Sequence, residues 1–219
     1  MSSLKSLKIP YLEELKHLSQ ANEIINCLDE KAPRKTIDSV NWAKEYPYRP
    51  LATFTTAHSG EMLYIDFFVR CNFLRAENYK NQSPVSEDSC VEFFVEPTGD
   101  LPYWNFEFNC IGTINASYRC ERSNPTRLND EQLSKIVRYA SCGNRPFKEL
   151  EGLFTWNLLV GIPFDLLGID YKHEPIAMKG NFYKCASSCS QPHFMSWNPI
   201  KSAKPDFHRP EYFGNIILL

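Results

Sequence analysis

The stretch from Pro84 to Gly112 constrains the fold of this chain most strongly, because it alternates with the two-residue period of a β-strand. One face of its first arm carries Val91, Phe93 and Val95, and the intervening residues form a more polar face. The second arm continues the pattern with Trp104, Phe106 and Phe108 on one face. Prolines and a glycine in PTGDLP (97–102) stop both arms and reverse the chain. The pattern predicts a hairpin of half-buried strands.

Further short strands are predicted at about ten-residue spacing, which favours an all-β sandwich over other classes. The clearest are LATFTTAH (51–58), MLYIDFFVR (62–70), LFTWNLLVGI (153–162) and MKGNFYKC (178–185). MLYIDFFVR is apolar on both faces, as a central strand would be. Leucines and isoleucines in residues 11–28 have helical spacing and predict one helix or two short pieces. We expect one domain over residues 1–219, an antiparallel, jelly-roll-like sandwich with an N-terminal helical extension at 1–36.

Charge and hydropathy narrow the classes of partner. The net charge is −2 and the basic residues are scattered, so the chain lacks the basic patch of a nucleic-acid binder. The longest apolar run, residues 157–169, is too short to span a membrane. No signal peptide is visible at the N-terminus, which leaves localisation open between the cytoplasm and secretion after removal of a signal. The eight cysteines are expected to be mostly reduced and structural.

Residues 186–211 form a long segment without a regular period, which in a compact domain often serves a function. It contains Trp197 with His193 nearby, and an aromatic ring beside polar groups suits the apolar face and hydroxyl rim of a sugar. The alternative is that Trp197 caps the core from outside and that the prolines only fix the loop. Lys184, among aromatic residues, is either a ligand contact or a stem lying over apolar surface. Asn181 and Arg119 are weaker candidates for polar contacts.

The segments SEDSCVEFFVEP (86–97), YWNFEFNCIG (103–112), NFYKC (181–185) and PHFMSWNPIKSAKPDFHRPEYFG (192–214) resemble carbohydrate-binding module family 9, whose xylanase-associated members bind sugars. VNWAKEYPYRPLATFTTAH (40–58) resembles it more loosely. The resemblance implies a two-sheet sandwich that clamps the end of a glycan between two tryptophans. Trp197 lies where the second is expected, whereas the first is replaced by Ser86. Tyr79 is a candidate substitute.

The same resemblance implies a structural calcium ion, for which Asp88 is the weak candidate ligand. From the residues alone, Asp88 either binds a metal or caps the entry of the strand. A separate metal alternative is zinc, because Cys185, Cys189 and His193 follow a C-x3-C-x3-H spacing with His208 further on. That spacing is looser than in most zinc sites. No cofactor is therefore predicted with certainty.

Three functions follow from these features. The first is non-catalytic binding of a mono- or oligosaccharide or glycan end, with Trp197 stacking on the sugar. Lys184, Asn181, His193, Asp88, Arg119 and Tyr79 would supply its remaining contacts. The second is an O-glycosyl hydrolase that uses Glu92 and Glu107, since paired strands can bring two carboxyl groups together. The third is a sandwich that has lost sugar binding and serves as a protein-interaction domain.

Overall fold

The computed structural model of the chain describes residues 4–97, 102–120 and 123–219. Most of its regular structure is β-strand. The strands in the first half of the chain are β1 (Ser6–Ile9), β2 (Lys35–Thr36), β3 (Ser39–Val40), β4 (Leu51–His58), β5 (Met62–Ala76), β6 (Cys90–Glu96) and β7 (Tyr103–Asn109). Those in the second half are β8 (Ile114–Arg119), β9 (Pro125–Arg127), β10 (Val137–Ala140), β11 (Phe147–Pro163), β12 (Ile176–Ala186), β13 (His193–Ser196) and β14 (Gly214–Leu218).

Helices are few and short. The α-helices are α1 (Ala21–Lys31), α2 (Asp130–Ser134) and α3 (Phe164–Leu167). Single 3₁₀ turns occur at Glu13–Lys16, Val85–Glu87 and Pro210–Tyr212. Asn129 caps α2, because its Oδ1 accepts from the backbone N–H of Gln132 and its own backbone N–H donates to Oε1 of Gln132. The helical pattern predicted in residues 11–28 corresponds to two pieces, the 3₁₀ turn at Glu13–Lys16 and the helix α1.

The strands form two sheets, as predicted. Over the described residues the larger sheet has the order β1-β14-β12-β6-β7-β8-β9, with β13 pairing to β12 and to β3. The smaller sheet has the order β10-β11-β5-β4-β2, so β5 is central as its two apolar faces indicated. Among the strands of the described residues, β1 and β14 pair parallel and the other neighbours pair antiparallel. The all-β, two-sheet sandwich is therefore confirmed, with a parallel edge that the sequence did not predict.

The core between the sheets is built from the apolar faces of their strands. Phe93 from β6 and Phe182 from β12 stack at 4.7 Å, and Phe54 from β4 stacks on Phe182 at 3.8 Å. All three rings are fully buried. Full burial of one such side chain contributes about 1.5–3 kcal/mol relative to exposure. The apolar face predicted for the hairpin is thus the face that holds the two sheets together.

The outer face of the larger sheet is also covered, which corrects the prediction of half-buried strands. Residues 197–213, here called the covering segment, lie over it and contribute Ile200, Phe207 and Phe213 to a second apolar cluster. Every residue of β6 is consequently buried. The polar residues on that face, for which the sequence predicted contact with solvent, are buried beneath the covering segment.

The outer face of the smaller sheet packs against the N-terminal helical region. Leu28 of α1 is fully buried in a cluster that includes Ala57 of β4 and Leu159 of β11. The described residues 4–36 also add β1 to the edge of the larger sheet and β2 to the edge of the smaller sheet, so this region is more than the helical extension that was predicted. None of the described helices has the length and apolar character needed to cross a membrane.

Candidate functional site

A small cleft opens on the outer face of the larger sheet, where strands β6, β7 and β12 meet the covering segment. Its volume is about 140 Å³. Acidic, aromatic and small polar side chains form its walls. They are Ser86, Glu92, Glu107, Cys185, Ser187, Phe194, Pro205, Asp206, Phe207 and His208. The cleft thus lies within the part of the chain that the sequence singled out, at the irregular segment 186–211.

Two carboxyl groups lie at the base of this cleft. Glu92 and Glu107 are direct partners in the register of β6 and β7, and both point to the outer face. Their side chains are almost fully buried, and burial raises the pKa of Glu107 and raises that of Glu92 well above its ordinary value. The pKa of Glu92 is raised further by the charges of Cys185 and Glu107. Loss of a proton from either group is therefore harder than in water.

A polar network fixes the orientation of Glu107. Asn105 donates to its Oε1 at 2.9 Å, and Asn115 donates to its Oε2 at 3.0 Å. Arg119 in turn donates from Nε to the side-chain oxygen of Asn105 at 2.6 Å. Among the predicted contact residues, Arg119 is thus joined to the cleft through this network. The three partners hold a neutral or charged carboxyl in one position.

Two phenylalanine rings provide the apolar walls. Phe207 stacks on Tyr183 at 4.2 Å, and Phe194 meets Tyr46 edge-to-face at 4.8 Å. Trp42 contacts both phenylalanines. Sequence reasoning placed Phe194 in the irregular segment but did not single out either ring. The signal in the sequence was that each of these phenylalanines adjoins a histidine, Phe194 next to His193 and Phe207 next to His208. The segment has no periodicity that would predict which ring faces the sheet.

Trp197 lies in the core, so the prediction that it stacks on a sugar does not fit its position. Its ring is 3% exposed and contacts Phe54 and Phe182 edge-to-face. Gly214 lies so close that an added Cβ would fall 2.4 Å from the indole. The alternative that Trp197 serves the core agrees with the structure, although the ring lies within the core cluster and does not cap it from outside. Its backbone N–H donates to the backbone oxygen of Phe182 at 2.8 Å.

Three other predicted contact residues are buried and satisfied by the chain itself. Lys184 is fully buried, and its Nζ lies 2.7 Å from the backbone oxygen of Cys185 and 2.8 Å from Nε2 of His193. Burial and the nearby ammonium lower the pKa of His193 well below its ordinary value. Asn181 bonds to the backbone of Asn198 and Phe182. These three side chains hold strands together and do not line the cleft.

Asp88 organises the loop before β6. Its Oδ1 accepts from Arg75 and from the backbone of Glu77, and its Oδ2 accepts from the backbone of Asn78 and from Asn109. Four donors of the chain thus surround a fully buried carboxylate. Calcium requires oxygens that are free to coordinate it, so Asp88 in this arrangement does not fit the predicted calcium ligand.

Tyr79 is exposed and belongs to a different surface. Its side chain is 60% exposed and lines a shallow cleft of about 540 Å³ together with Arg138 and Tyr139. It is therefore not part of the cleft that Ser86 lines. A role for Tyr79 in place of the aromatic residue missing at position 86 stays a prediction without support from its position.

The cysteines are all free in the structure, and six of the eight are buried. The predicted zinc ligands do not converge, because Cys185 faces the cleft while His193 is bonded to Lys184. Burial raises the pKa of Cys189 to about 12, and its thiol interacts with Glu149 instead. Over the described residues, the three potential ligands that do converge are Cys90, Glu92 and Cys185.

Comparison with known proteins adds independent findings. The model of carbohydrate-binding family 9 matches residues 22–218. A crystal structure from Bacteroides uniformis ATCC 8492, described as a "putative carbohydrate-binding protein", superposes with a TM-score of 0.91 at 33% identity. The match covers 99% of this chain and 100% of that one. A search among curated proteins found no match.

More distant structures share the fold. A family 9 module from Caldicellulosiruptor kristjanssonii in complex with cellotriose superposes with a TM-score of 0.63 at 11% identity, covering 98% of this chain and 93% of that one. The same kind of module in complex with glucose gives 0.65 at 12% identity, with 98% and 96% covered.

Proposed function

The chain belongs to carbohydrate-binding family 9, and we propose that it binds one sugar unit in the cleft beneath the covering segment, without cleaving it. The observation that carries the proposal is the pairing of Glu92 and Glu107 at the base of a cleft whose walls include Phe194 and Phe207. Ring faces and carboxyl groups are the two kinds of surface that a sugar needs.

A sugar ring presents an apolar C–H face and a rim of hydroxyl groups. Phe194 and Phe207 supply apolar surface in the cleft. The carboxyl oxygens of Glu92 and Glu107 can accept from sugar hydroxyl groups, and burial, which raises the pKa of both groups, favours the form that can also donate. Asp206 and His208 add polar groups at the opposite wall. The arrangement suits a neutral ligand that carries many hydroxyls.

The size of the cleft favours a single ring, such as the end of a glycan. About 140 Å³ lies below the roughly 300–1,000 Å³ of pockets that enclose drug-sized ligands. A ligand of this size offers little apolar area, so we expect modest affinity. Family 9 structures in complex with glucose and with cellotriose support a neutral hexose as the ligand class.

The cleft departs from the family's clamp of two tryptophans. Ser86, at the position where the resemblance implies the first ring, lines the cleft. Trp197, at the position of the second, is in the core. We therefore assign the stacking surface to Phe194 and Phe207, and we expect weaker stacking than two indoles would provide.

A glycoside hydrolase is the second candidate, because Glu92 and Glu107 share one face and both reach the cleft. Both retaining and inverting mechanisms need one ionised carboxylate beside one protonated acid. Burial raises the pKa of both groups here, so neither has the lowered pKa that would favour the ionised nucleophile or base. This electrostatic argument ranks binding above hydrolysis.

Calorimetric titration with mono- and oligosaccharides, with and without calcium, tests the proposal. We expect saturable heat with one sugar class and its loss in Phe194→Ala and Glu107→Ala, which remove the ring and the carboxyl group from the cleft. Tyr79→Ala is the matched control, since this aromatic side chain is exposed but lies outside the cleft. Melting curves of each variant separate a lost contact from a lost fold.

Each other outcome rejects the proposal in a different way. Heat that disappears in Tyr79→Ala and persists in Phe194→Ala would move the site to the cleft around Arg138 and Tyr139. Release of reducing sugar that stops in Glu107→Gln would establish the hydrolase. Flat traces over a broad sugar panel would leave the protein-interaction domain as the function.

A further inference from the structure

Three side chains with metal-binding chemistry meet on the outer face of the larger sheet. Cys90 and Glu92 are two residues apart on β6 and therefore point to the same side. Cys185 is the direct partner of Cys90 in the antiparallel register of β6 and β12. The two Sγ atoms and a carboxylate oxygen of Glu92 all lie within 4.8 Å of one another.

We propose that Cys90, Glu92 and Cys185 form a binding site for a thiophilic divalent cation of the zinc class. Zinc binds thiolate sulfur and carboxylate oxygen, and three protein ligands plus water make up its open tetrahedral sites. Thiolate ligands distinguish this site from a calcium or magnesium site, which is built from oxygen. The proposal does not rest on sugar binding, because its readout is the metal itself, although Glu92 and Cys185 also line the cleft assigned to the sugar.

The distances agree with such a site. Around a tetrahedral zinc with bonds of about 2.3 Å to sulfur and about 2.0 Å to oxygen, a sulfur and an oxygen ligand lie about 3.5 Å apart. Oε1 of Glu92 lies 3.1 Å from Sγ of Cys185 and 3.8 Å from Sγ of Cys90. The donors are therefore spaced for one shared ion with only small shifts of side chains.

The local charges also suit a cation. Two thiolates and a carboxylate around a divalent ion leave one net negative charge. The buried ammonium of Lys184, which donates to the backbone oxygen of Cys185, lies on the other face of the same strand and opposes that charge. Glu107, the register partner of Glu92, places a further carboxyl group beside the site. A buried cation would offset the repulsion among these acidic groups.

The site has an approach from solvent. Glu92 and Cys185 both line the cleft beneath the covering segment, whereas Cys90 is enclosed behind them. A cation can reach the two cleft-lining ligands first, and a water molecule from the cleft supplies the fourth ligand. No sequence motif identifies these three ligands, because Cys185 lies on a strand that is distant in sequence from β6.

The test uses the full chain, reduced with a phosphine and freed of metal with a chelator. Titration with Co²⁺ is followed by absorption, since a thiolate-to-cobalt charge-transfer band reports sulfur ligation directly. Zn²⁺ is then added to displace the cobalt and to give its dissociation constant by competition with a chromophoric chelator. We expect one ion per chain, with affinity lowered more than about 100-fold in Cys90→Ser and in Cys185→Ser.

Glu92→Gln should weaken binding while retaining the charge-transfer band, because both thiolates remain. Cys120→Ser removes the exposed thiol, and Cys189→Ser removes another buried one, so both should bind like the wild type. Circular dichroism confirms that each variant is folded. A wild-type protein without the charge-transfer band would overturn the proposal, as would binding that survives in Cys90→Ser and Cys185→Ser or is lost in Cys120→Ser.

Discussion

Nζ of Lys184 lies 2.8 Å from Nε2 of His193, and both side chains are buried where β12 pairs with β13. The low pKa of His193 keeps its imidazole neutral, so its ring nitrogen can accept a hydrogen bond from the ammonium. The same ammonium donates to the backbone oxygen of Cys185. A lysine that the sequence offered as a sugar contact is thus a buried link between two strands.

Lys184→Met should therefore destabilise the fold, by about 1–3 kcal/mol, because it leaves buried acceptors on Cys185 and His193 without a donor. Denaturant unfolding at neutral pH measures the loss. The pKa of His193 should rise, since a neighbouring charge that lowers it is removed, and imidazole NMR reports this change. Lys179→Met, at an exposed position on the same strand, should stay within about 0.5 kcal/mol of the wild type. Unchanged stability with lost sugar binding would restore Lys184 as a ligand contact.

Trp197→Ala should lower the free energy of unfolding by about 3–5 kcal/mol, because it empties the space between Phe54, Phe182 and Gly214. Sugar affinity of the folded protein should change little, since Trp197 does not line the cleft. Denaturant unfolding and calorimetry together make the distinction. A variant that is as stable as the wild type but binds no sugar would contradict the core assignment.

Gly214→Ala provides an independent check on the same contact. Its Cβ would lie 2.4 Å from the indole of Trp197 and 2.9 Å from the backbone oxygen of Lys5, so it should also destabilise the fold. Much of that loss should disappear in the double variant with Trp197→Ala, because the smaller side chain removes the indole clash. Strictly additive losses would show that the two positions do not interact.

Asp66→Asn should change how stability depends on pH. Burial raises the pKa of Asp66 to about 7, so the folded protein holds this proton where the unfolded chain has lost it. The free energy of unfolding should fall as pH rises from about 4 through about 7, by up to about 4 kcal/mol from this group. Asp66→Asn should remove that part of the slope and be the more stable protein at pH above about 7.

Unfolding curves across this pH range, compared between wild type and variant, isolate Asp66 from Glu92 and Glu107, whose raised pKa values act in the same direction. Asp170→Asn is the control, because its side chain is 78% exposed. Parallel pH profiles for the wild type and Asp66→Asn would disprove the assignment.

Ser86→Trp should strengthen sugar binding about ten-fold by adding an aromatic surface to the cleft wall. Calorimetry against the sugar identified for the wild type measures the gain. Ser134→Trp adds the same side chain at an exposed serine on α2 and should leave affinity unchanged. Weaker binding in Ser86→Trp would mean that the indole fills the space that the sugar needs.

The sandwich could be predicted from the sequence, because successive side chains of a strand point to opposite faces and the alternation in Val91–Val95 and Trp104–Phe108 matches that local geometry. The structure confirms these strands, their antiparallel pairing and their inward faces. The prediction that these strands are only half-buried, with solvent on their other face, was wrong. The covering segment that buries it has no periodicity, and its position follows from contacts with residues distant in sequence, such as Trp42.

Only the outline of the candidate site could be predicted from the sequence. The irregular segment 186–211 does border the cleft, and Glu92 and Glu107 do share it. The inward turn of Trp197 could not be read from the sequence, because a tryptophan beside polar residues suits a surface platform and a core position equally. Likewise, spacing predicted a zinc set within one loop, whereas the converging thiols come from two strands that pair only in the fold.

The parallel pairing of β1 with β14 has a kinetic consequence. Ser6 lies beside Asn215, so this contact closes a loop of roughly 200 residues. Ordering so long a loop costs more entropy than forming a hairpin. The hydrogen bonds between β1 and β14 therefore give a net gain in stability only after the remaining strands are in place. We expect this seam to form late in refolding. Amide hydrogen exchange should then find Leu7 and Ile9 opening before Phe93, although all three side chains are equally well buried.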